Sequence, residues 1–163
     1  MKLIRWGNPG KEKIGVIINE KKYDKSVLGE DYNEQFFEKD GINRLEDFLM
    51  KYEGKLPRVD DVERIGSPIA HPSKIIYIGL NYAKHAAETC SPIPFEPIIF
   101  FKSTTALMGP HDDIVIPRNS VKTDWEVELA IIIGKKASYF PESEALGYIA
   151  GYCLHNNVSE REF

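Results

Sequence analysis

The sequence predicts an α+β fold that is rich in β-strands, with a small N-terminal domain at residues 1–64 and a second domain at 65–163. Short apolar segments bounded by Gly, Pro and Asn recur along the chain, which is typical of strands. One long segment has apolar residues at helical spacing. A stretch rich in Pro and charge, 57–73, separates the two domains, and 163 residues are enough for both.

Composition and charge exclude several classes of protein. Hydrophobic residues make up 42% and charged residues 28%, as in ordinary soluble proteins. The net charge of −4 argues against a nucleic-acid binder. No apolar run is long enough to span a membrane, and Gly7 interrupts the N-terminus too early for a signal peptide. Cys90 and Cys153 are too few for a disulfide framework, so we expect a cytoplasmic protein with reduced thiols.

The N-terminal domain should contain three strands followed by two helices. Strands are predicted at Lys2–Trp6, Ile14–Ile18 and Tyr23–Val27, with a polar turn between the second and the third. Residues 32–52 carry apolar side chains at helical spacing. Gly41 is expected to divide this segment into two helices.

The second domain should alternate strands with short helical segments. Continuous apolar runs at 74–79 and 98–101 are typical of buried strands. A helical turn is expected at 80–88, and Pro141 suits the first turn of a short helix. The remaining predicted strands are 114–116, 123–133 and 148–154.

The predicted strand at 123–133 carries two carboxylates on one face. Side chains alternate along a strand, so Glu126 and Glu128 point the same way. The other face should point into a core through Trp125, Val127, Leu129 and Ile131. No Lys or Arg lies between the two acids, and a hard divalent cation suits oxygen ligands. The strand therefore indicates a metal site, unless its polar face is simply solvated.

Two further positions could carry chemistry. His85 and Glu88 are three residues apart, so a helix would place them on one face, where a carboxylate can orient an imidazole as a general base. The alternative is an ordinary surface ion pair. Lys102 ends an apolar strand and could bind a substrate carboxylate, although its stem could equally lie along apolar surface with the amine in water.

Four segments, in this order, resemble motifs of the fumarylacetoacetate hydrolase family. They are residues 78–88 (G-x-N-Y-x-x-H-x-x-E), 99–103 (F-x-K), 124–129 (E-x-E-L) and 151–163 (G-Y-x-x-x-N-D-x-S-x-R-x-x-Q). The resemblance runs from about Ile65 to the end of the chain. Two N-terminal stretches, 1–7 and 29–32, resemble the branch of ureidoglycolate lyase and 2,4-diketo-3-deoxy-L-fuconate hydrolase.

The resemblance implies a Mg²⁺ or Mn²⁺ site in a mixed β-roll domain, and a homodimer. Its metal ligands would be Glu126, Glu128 and the residue at position 157. The family has Asp there, whereas this chain has Asn157. An amide offers an oxygen but no charge, so we expect a weakened metal site.

The resemblance also implies the catalytic and substrate-binding residues. His85, oriented by Glu88, would activate water. Lys102, Asn81 and Tyr82 lie in the matching segments and are expected to bind the substrate.

The implied function is hydrolysis of a carbon–carbon bond in a small 2,4-dioxo acid, of the acylpyruvate or diketo-deoxy sugar acid type. A ureidoglycolate lyase-type reaction is the alternative enzyme. The family fold continues beyond residue 163. The alternative to an enzyme is therefore an inactive, C-terminally truncated member of the family. No nucleic acid or membrane partner is expected.

Overall fold

The computed structural model describes residues 1–52 and 54–162, which form two compact units. The large unit comprises Met1–Ala70 and the chain from Gly109 onward, and the small unit is His71–Met108. The domain boundary placed between residues 64 and 65 stays a prediction.

The N-terminal part of the large unit is built on a four-stranded antiparallel sheet. Its strands, in spatial order, are β3 (Lys21–Asp24), β2 (Lys13–Ile18), β1 (Lys2–Trp6) and β4 (Ile65–Gly66). Both residues of the turn between β2 and β3 have positive φ, as tight hairpins require. The predicted strands at 2–6 and 14–18 are confirmed.

Two helices follow this hairpin, α1 (Glu34–Glu38) and α2 (Gly41–Lys51). The Asn33 side chain caps α1 by accepting a hydrogen bond from the Phe36 amide at 2.9 Å. A Cβ atom on Gly41 would lie 2.4 Å from the Phe36 carbonyl oxygen, so this junction requires glycine. The prediction that Gly41 divides the helical segment is confirmed.

The helices pack on the sheet through one hydrophobic core. Its fully buried members are Ile14, Val16, Tyr32, Phe36 and Leu45. The Tyr32 hydroxyl donates a hydrogen bond to the Gly15 carbonyl at 2.9 Å, so its polar atom is satisfied inside this core. Burial of such side chains stabilises the fold by about 1.5–3 kcal/mol each.

The C-terminal part of the large unit contains two strand pairs. β7 (Thr123–Asp124) pairs with β10 (Ser159–Glu160), and β8 (Val127–Ile133) pairs with β9 (Ile149–Asn156), all antiparallel. A β-bulge shifts the register between Ile132 and Ile133, which leaves one residue of β9 without a direct partner.

Several predictions for this region are wrong. The strand predicted at 123–133 is interrupted at residues 125–126, and the helix predicted from Pro141 is a 3₁₀-helix, Glu142–Tyr148. Residues 114–116 form no strand, since the segment is short and runs into Pro117, which cannot donate to a ladder. The apolar face of β8 was predicted to point into a core, but it is exposed, with Val127 68% and Leu129 56% accessible, because a strand face is buried only where another layer packs on it.

The small unit is a hairpin with one helix. β5 (Ile75–Gly79) pairs with β6 (Ile98–Lys102), and α3 (Ala83–Glu88) lies between them in the chain. Tyr77 and Phe100 stack across the hairpin, with ring centroids 5.1 Å apart. The two strands were predicted to be buried, but most of β6 is exposed. Pairing with β5 satisfies its backbone, whereas burial of its side chains would require a further layer packed on the face of the hairpin. None of the described helices is long and apolar enough to cross a bilayer.

A buried lysine lies beside the helices of the N-terminal part of the large unit. Lys25 has no accessible surface, and its Nζ lies 4.0 Å from the centroid of the Phe48 ring. Among the described residues this nitrogen has no hydrogen-bond partner. Desolvation lowers the pKa of Lys25 to about 8, against an opposing attraction to Asp24.

We expect Lys25→Met to raise the free energy of unfolding at pH 7 by about 1–3 kcal/mol, because it removes an unsatisfied buried ammonium group. The folded-state pKa lies below that of the unfolded chain, so the unfolded state binds more protons between about pH 8 and 10.5. The difference in the free energy of unfolding between Lys25→Met and the wild type should therefore become smaller as the pH rises through this range. Urea unfolding at pH 7 and pH 10 measures both effects. Destabilisation at pH 7 would mean that attraction to the Phe48 ring outweighs desolvation.

Candidate functional site

The three predicted metal ligands, Glu126, Glu128 and Asn157, lie where β8 begins and β9 ends. Glu126 and Asn157 are joined by two backbone hydrogen bonds, of 2.8 and 3.2 Å, and Glu128 lies opposite His155 in the strand register. Residues opposite each other on antiparallel strands share a face of the sheet. The four side chains therefore lie on one face, opposite to the exposed apolar one.

Asn157 brings the two carboxylates together. Its side chain is buried, with 2% of the residue accessible. Its Nδ2 donates hydrogen bonds to Glu126 Oε2 at 2.9 Å and to Glu128 Oε1 at 2.7 Å. The amide NH₂ group thus provides the partial positive charge that two neighbouring carboxylates require.

Arg161 supplies the full positive charge. Its Nη2 donates a hydrogen bond to Glu126 Oε1 and another, of 2.9 Å, to Asp124 Oδ2. Its Nε donates a further bond to Asp124 Oδ2, of 3.2 Å. Hydrogen bonding from the Arg161 guanidinium, followed by that from the Trp125 amide, holds the pKa of Asp124 below its usual range.

Sequence reasoning missed Arg161 because it looked for a balancing cation only within the strand at 123–133. The available signal was the position of Arg161 four residues after Asn157, inside the last matching segment. The antiparallel pairing of β7 with β10 brings this segment beside Asp124.

Hydrogen bonds from two hydroxyl groups fix the segment that carries Arg161. Glu160 accepts one from Ser120 and one, of 2.8 Å, from Thr123 Oγ1. The Ser120 hydroxyl is the main reason that the pKa of Glu160 lies below its usual range. The Arg161 amide donates to the Lys122 carbonyl at 3.1 Å. The backbone at Arg161 is therefore held independently of its guanidinium.

The donor set at this site fits a hard divalent cation. Within residues 1–52 and 54–162, no three His, Cys, Asp or Glu side chains are grouped to hold a metal ion. The donors are instead two carboxylates and one amide, whose Oδ1 replaces Nδ2 when the amide rotates by 180°. Mg²⁺ is commonly held in proteins by one or two carboxylates together with water and substrate oxygens.

The predicted catalytic pair lies on α3 of the small unit. His85 Nδ1 is 4.0 Å from Glu88 Oε2, and these side chains are 48% and 77% accessible. This geometry is that of a loose contact on an exposed helix face, beyond hydrogen-bond distance. The prediction that Glu88 orients His85 as a base stays a prediction.

The predicted substrate-binding residues also belong to the small unit. Asn81 is exposed between β5 and α3, and Tyr82, which is 61% accessible, precedes the first turn of α3. Lys102 ends β6, with its Nζ 5.6 Å from the centroid of the Tyr77 ring. Their roles in binding remain predictions.

Comparison with known proteins identifies the family of the chain. The family model for the C-terminal domain of fumarylacetoacetate hydrolase matches residues 74–163. A Burkholderia cenocepacia protein, named only as a candidate hydrolase, is 46% identical over 164 aligned positions that cover all of this chain and 57% of that protein. The chain therefore spans less than three-fifths of the length of this relative.

Solved structures have the same fold. Fumarylacetoacetate hydrolase from Exiguobacterium antarcticum is 28% identical with a TM-score of 0.71, over 99% of this chain and 57% of that one. 5-Carboxymethyl-2-hydroxymuconate delta-isomerase from Mycobacterium smegmatis is 26% identical with a TM-score of 0.65, over 99% and 56%.

Maleylpyruvate hydrolase from Sphingobium sp. SYK-6 was crystallised with manganese(II) and pyruvate. It has a TM-score of 0.80 over all of this chain and 60% of that one. The sequence identity is 24%, so the similarity shows the fold alone. These neighbours confirm the predicted β-rich α+β fold. Since the family model also matches more than half of the residues, the chain belongs to the fumarylacetoacetate hydrolase family.

Proposed function

We propose that this chain carries the metal-binding part of a Mg²⁺- or Mn²⁺-dependent hydrolase that cleaves a carbon–carbon bond in a small 2,4-dioxo acid. The observation that carries the proposal is the convergence of Glu126 and Glu128 on the amide of Asn157. Two carboxylates that share one positively polarised group are poised to accept a cation.

The proposed reaction adds water across one bond of an acylpyruvate. The bond between the acyl carbonyl carbon and the adjacent methylene carbon breaks, the hydroxyl of water joins the acyl group, and the methylene carbon takes a proton. The products are a carboxylic acid and a pyruvate-type 2-oxo acid. A bound divalent ion supplies a Lewis acid for the negative charge that develops on the 2-oxo oxygen.

The chain's own residues are assigned separate tasks. Glu126, Glu128 and the Asn157 amide oxygen would hold the ion. Because Nδ1 of His85 faces Glu88, Nε2 is the atom to which we assign the proton taken from water. Lys102, Asn81 and Tyr82 offer hydrogen-bond donors for a substrate carboxylate.

Similarity to known proteins supports this reaction class. The relatives include a fumarylacetoacetate hydrolase, and the Sphingobium protein of the same fold was crystallised with manganese and a 2-oxo acid. The chain spans less than two-thirds of the length of each, so the activity is proposed for the whole protein to which these residues correspond.

An isomerase is the second candidate, favoured by the likeness to the Mycobacterium smegmatis delta-isomerase. Isomerisation moves a proton within the substrate, so the product keeps the substrate's mass. Hydrolysis instead yields two acids. Mass spectrometry of the products from acylpyruvate and hydroxymuconate substrates separates these two reactions.

We expect the chain to bind Mn²⁺ and Glu126→Gln to weaken that binding by at least about tenfold, because it removes one of two charged ligands. Isothermal titration calorimetry measures the change. Glu142→Gln, an exposed position in the 3₁₀-helix, is the matched control and should bind as the wild type does. Equal affinity of all three proteins, or no uptake by any, would contradict the metal site.

Asn157→Asp should have two opposite effects. It replaces the hydrogen-bond donor between Glu126 and Glu128 with a third carboxylate, so the melting temperature without metal should fall. The added charge should tighten Mn²⁺ binding by at least about tenfold, which makes the stabilisation by metal larger than in the wild type. Thermal melts with and without Mn²⁺ measure both effects. Unchanged metal binding would mean that residue 157 is not a ligand.

If His85 is the general base, His85→Gln should lower kcat for acylpyruvate hydrolysis by about 10²–10⁴-fold, with little change in Mn²⁺ affinity. His71→Asn is the control, since His71 is exposed and Asn tolerates its positive φ of 45°. Release of the 2-oxo acid product gives the rate. A kcat within twofold of the control would remove His85 from the mechanism.

A further inference from the structure

One of the proposed metal ligands, Glu126, is in contact with the positively charged side chain of Arg161. Arg161 bonds to Glu126, which is proposed to hold the divalent ion, and to Asp124, which is not. We infer that Arg161 competes with the divalent cation for Glu126 and so lowers the metal affinity of the site. This inference rests on the proposed function.

The charges at the site make competition the expected relation. Three carboxylates lie here, those of Asp124, Glu126 and Glu128. Arg161 forms ion pairs with Asp124 and Glu126. A guanidinium stays protonated at any physiological pH, so this charge cannot be titrated away. A divalent ion that approaches Glu126 therefore meets a like charge on the same carboxylate, and the two cations repel each other.

The geometry allows Arg161 to leave Glu126 without local unfolding. Nη2 is the atom that bonds to Glu126, whereas both Nη2 and Nε bond to Asp124. The Arg161 amide is separately fixed to the Lys122 carbonyl. A rotation of the side chain towards Asp124 would therefore release Glu126 while the backbone remains in place.

The exposure of this contact determines the size of the effect. The side chains of Arg161 and Glu126 are 48% and 32% accessible, so water and salt screen their attraction. Exposed ion pairs typically change an equilibrium by about two- to fivefold. Such a contact tunes metal binding and does not prevent it.

A supporting role for Arg161 predicts the opposite sign. If the guanidinium mainly holds the Glu126 carboxylate in a conformation suited to the metal, then its removal should weaken binding. The direction of the change on substitution thus distinguishes competition from positioning.

The test is calorimetric titration of Mn²⁺ into the wild type, Arg161→Gln and Arg118→Gln. Arg118 is exposed in the same C-terminal part of the chain, so its substitution removes one charge without touching Asp124 or Glu126. We expect Arg161→Gln to bind Mn²⁺ about two- to fivefold more tightly than Arg118→Gln. Circular dichroism verifies folding, and Arg161→Lys, which keeps the charge but not the fork, should lie between the two.

Asp124→Asn provides a second, independent measurement. It releases Arg161 from one of its two partners, so the guanidinium should hold Glu126 more firmly and Mn²⁺ should bind more weakly. The weakening of Mn²⁺ binding by Asp124→Asn should be smaller when Arg161→Gln is also present, because the competing guanidinium is then absent.

The outcomes separate the two ideas. Equal or weaker Mn²⁺ binding by Arg161→Gln, relative to Arg118→Gln, overturns the competition and leaves the metal site intact. Absence of Mn²⁺ binding in the wild type and in every variant overturns the proposed function itself. A loss of the Asp124→Asn effect in the double variant supports competition, and an undiminished effect overturns it.

Discussion

Two carboxylates at alternate positions of one strand face must be offset by positive charge, and the C-terminal half of the large unit is arranged around this constraint. Asn157 lies opposite Glu126 in the strand pair, where its amide reaches Glu128 as well. Arg161 reaches Glu126 from the neighbouring pair of short strands. The register of both strand pairs is therefore tied to the same two acidic side chains.

The amide at position 157 changes what the site is suited for. An aspartate in a buried position between two glutamates would leave three like charges together whenever no cation is bound. Asn157 instead donates two hydrogen bonds, which suits the metal-free protein, and adds no charge to a bound ion. Without metal, both carboxylates therefore accept hydrogen bonds from Asn157. With metal, the site should attract the ion less strongly than a site of three acids would.

Local patterns predicted β1, β2 and the division of the helical segment at Gly41, because each depends on neighbouring residues alone. The contact of Arg161 with Glu126 could not be predicted in this way, since it depends on how β7 pairs with β10. Alternation along β8 correctly separated a polar face from an apolar one. It could not say what covers the apolar face, because burial depends on distant segments.

The bulge in β9 has a practical consequence for engineering. Ile132 pairs with Gly151 and Ile133 with Ile149, so Ala150 is the extra residue that absorbs the change of register. Between the bulge and the carboxylates, β8 and β9 stay paired in one continuous register, from Ile132 with Gly151 to Val127 with Asn156. A spectroscopic tag or a spacer placed in the connection at 135–147 would therefore leave the spacing of the acidic side chains undisturbed, which makes this connection a suitable attachment point.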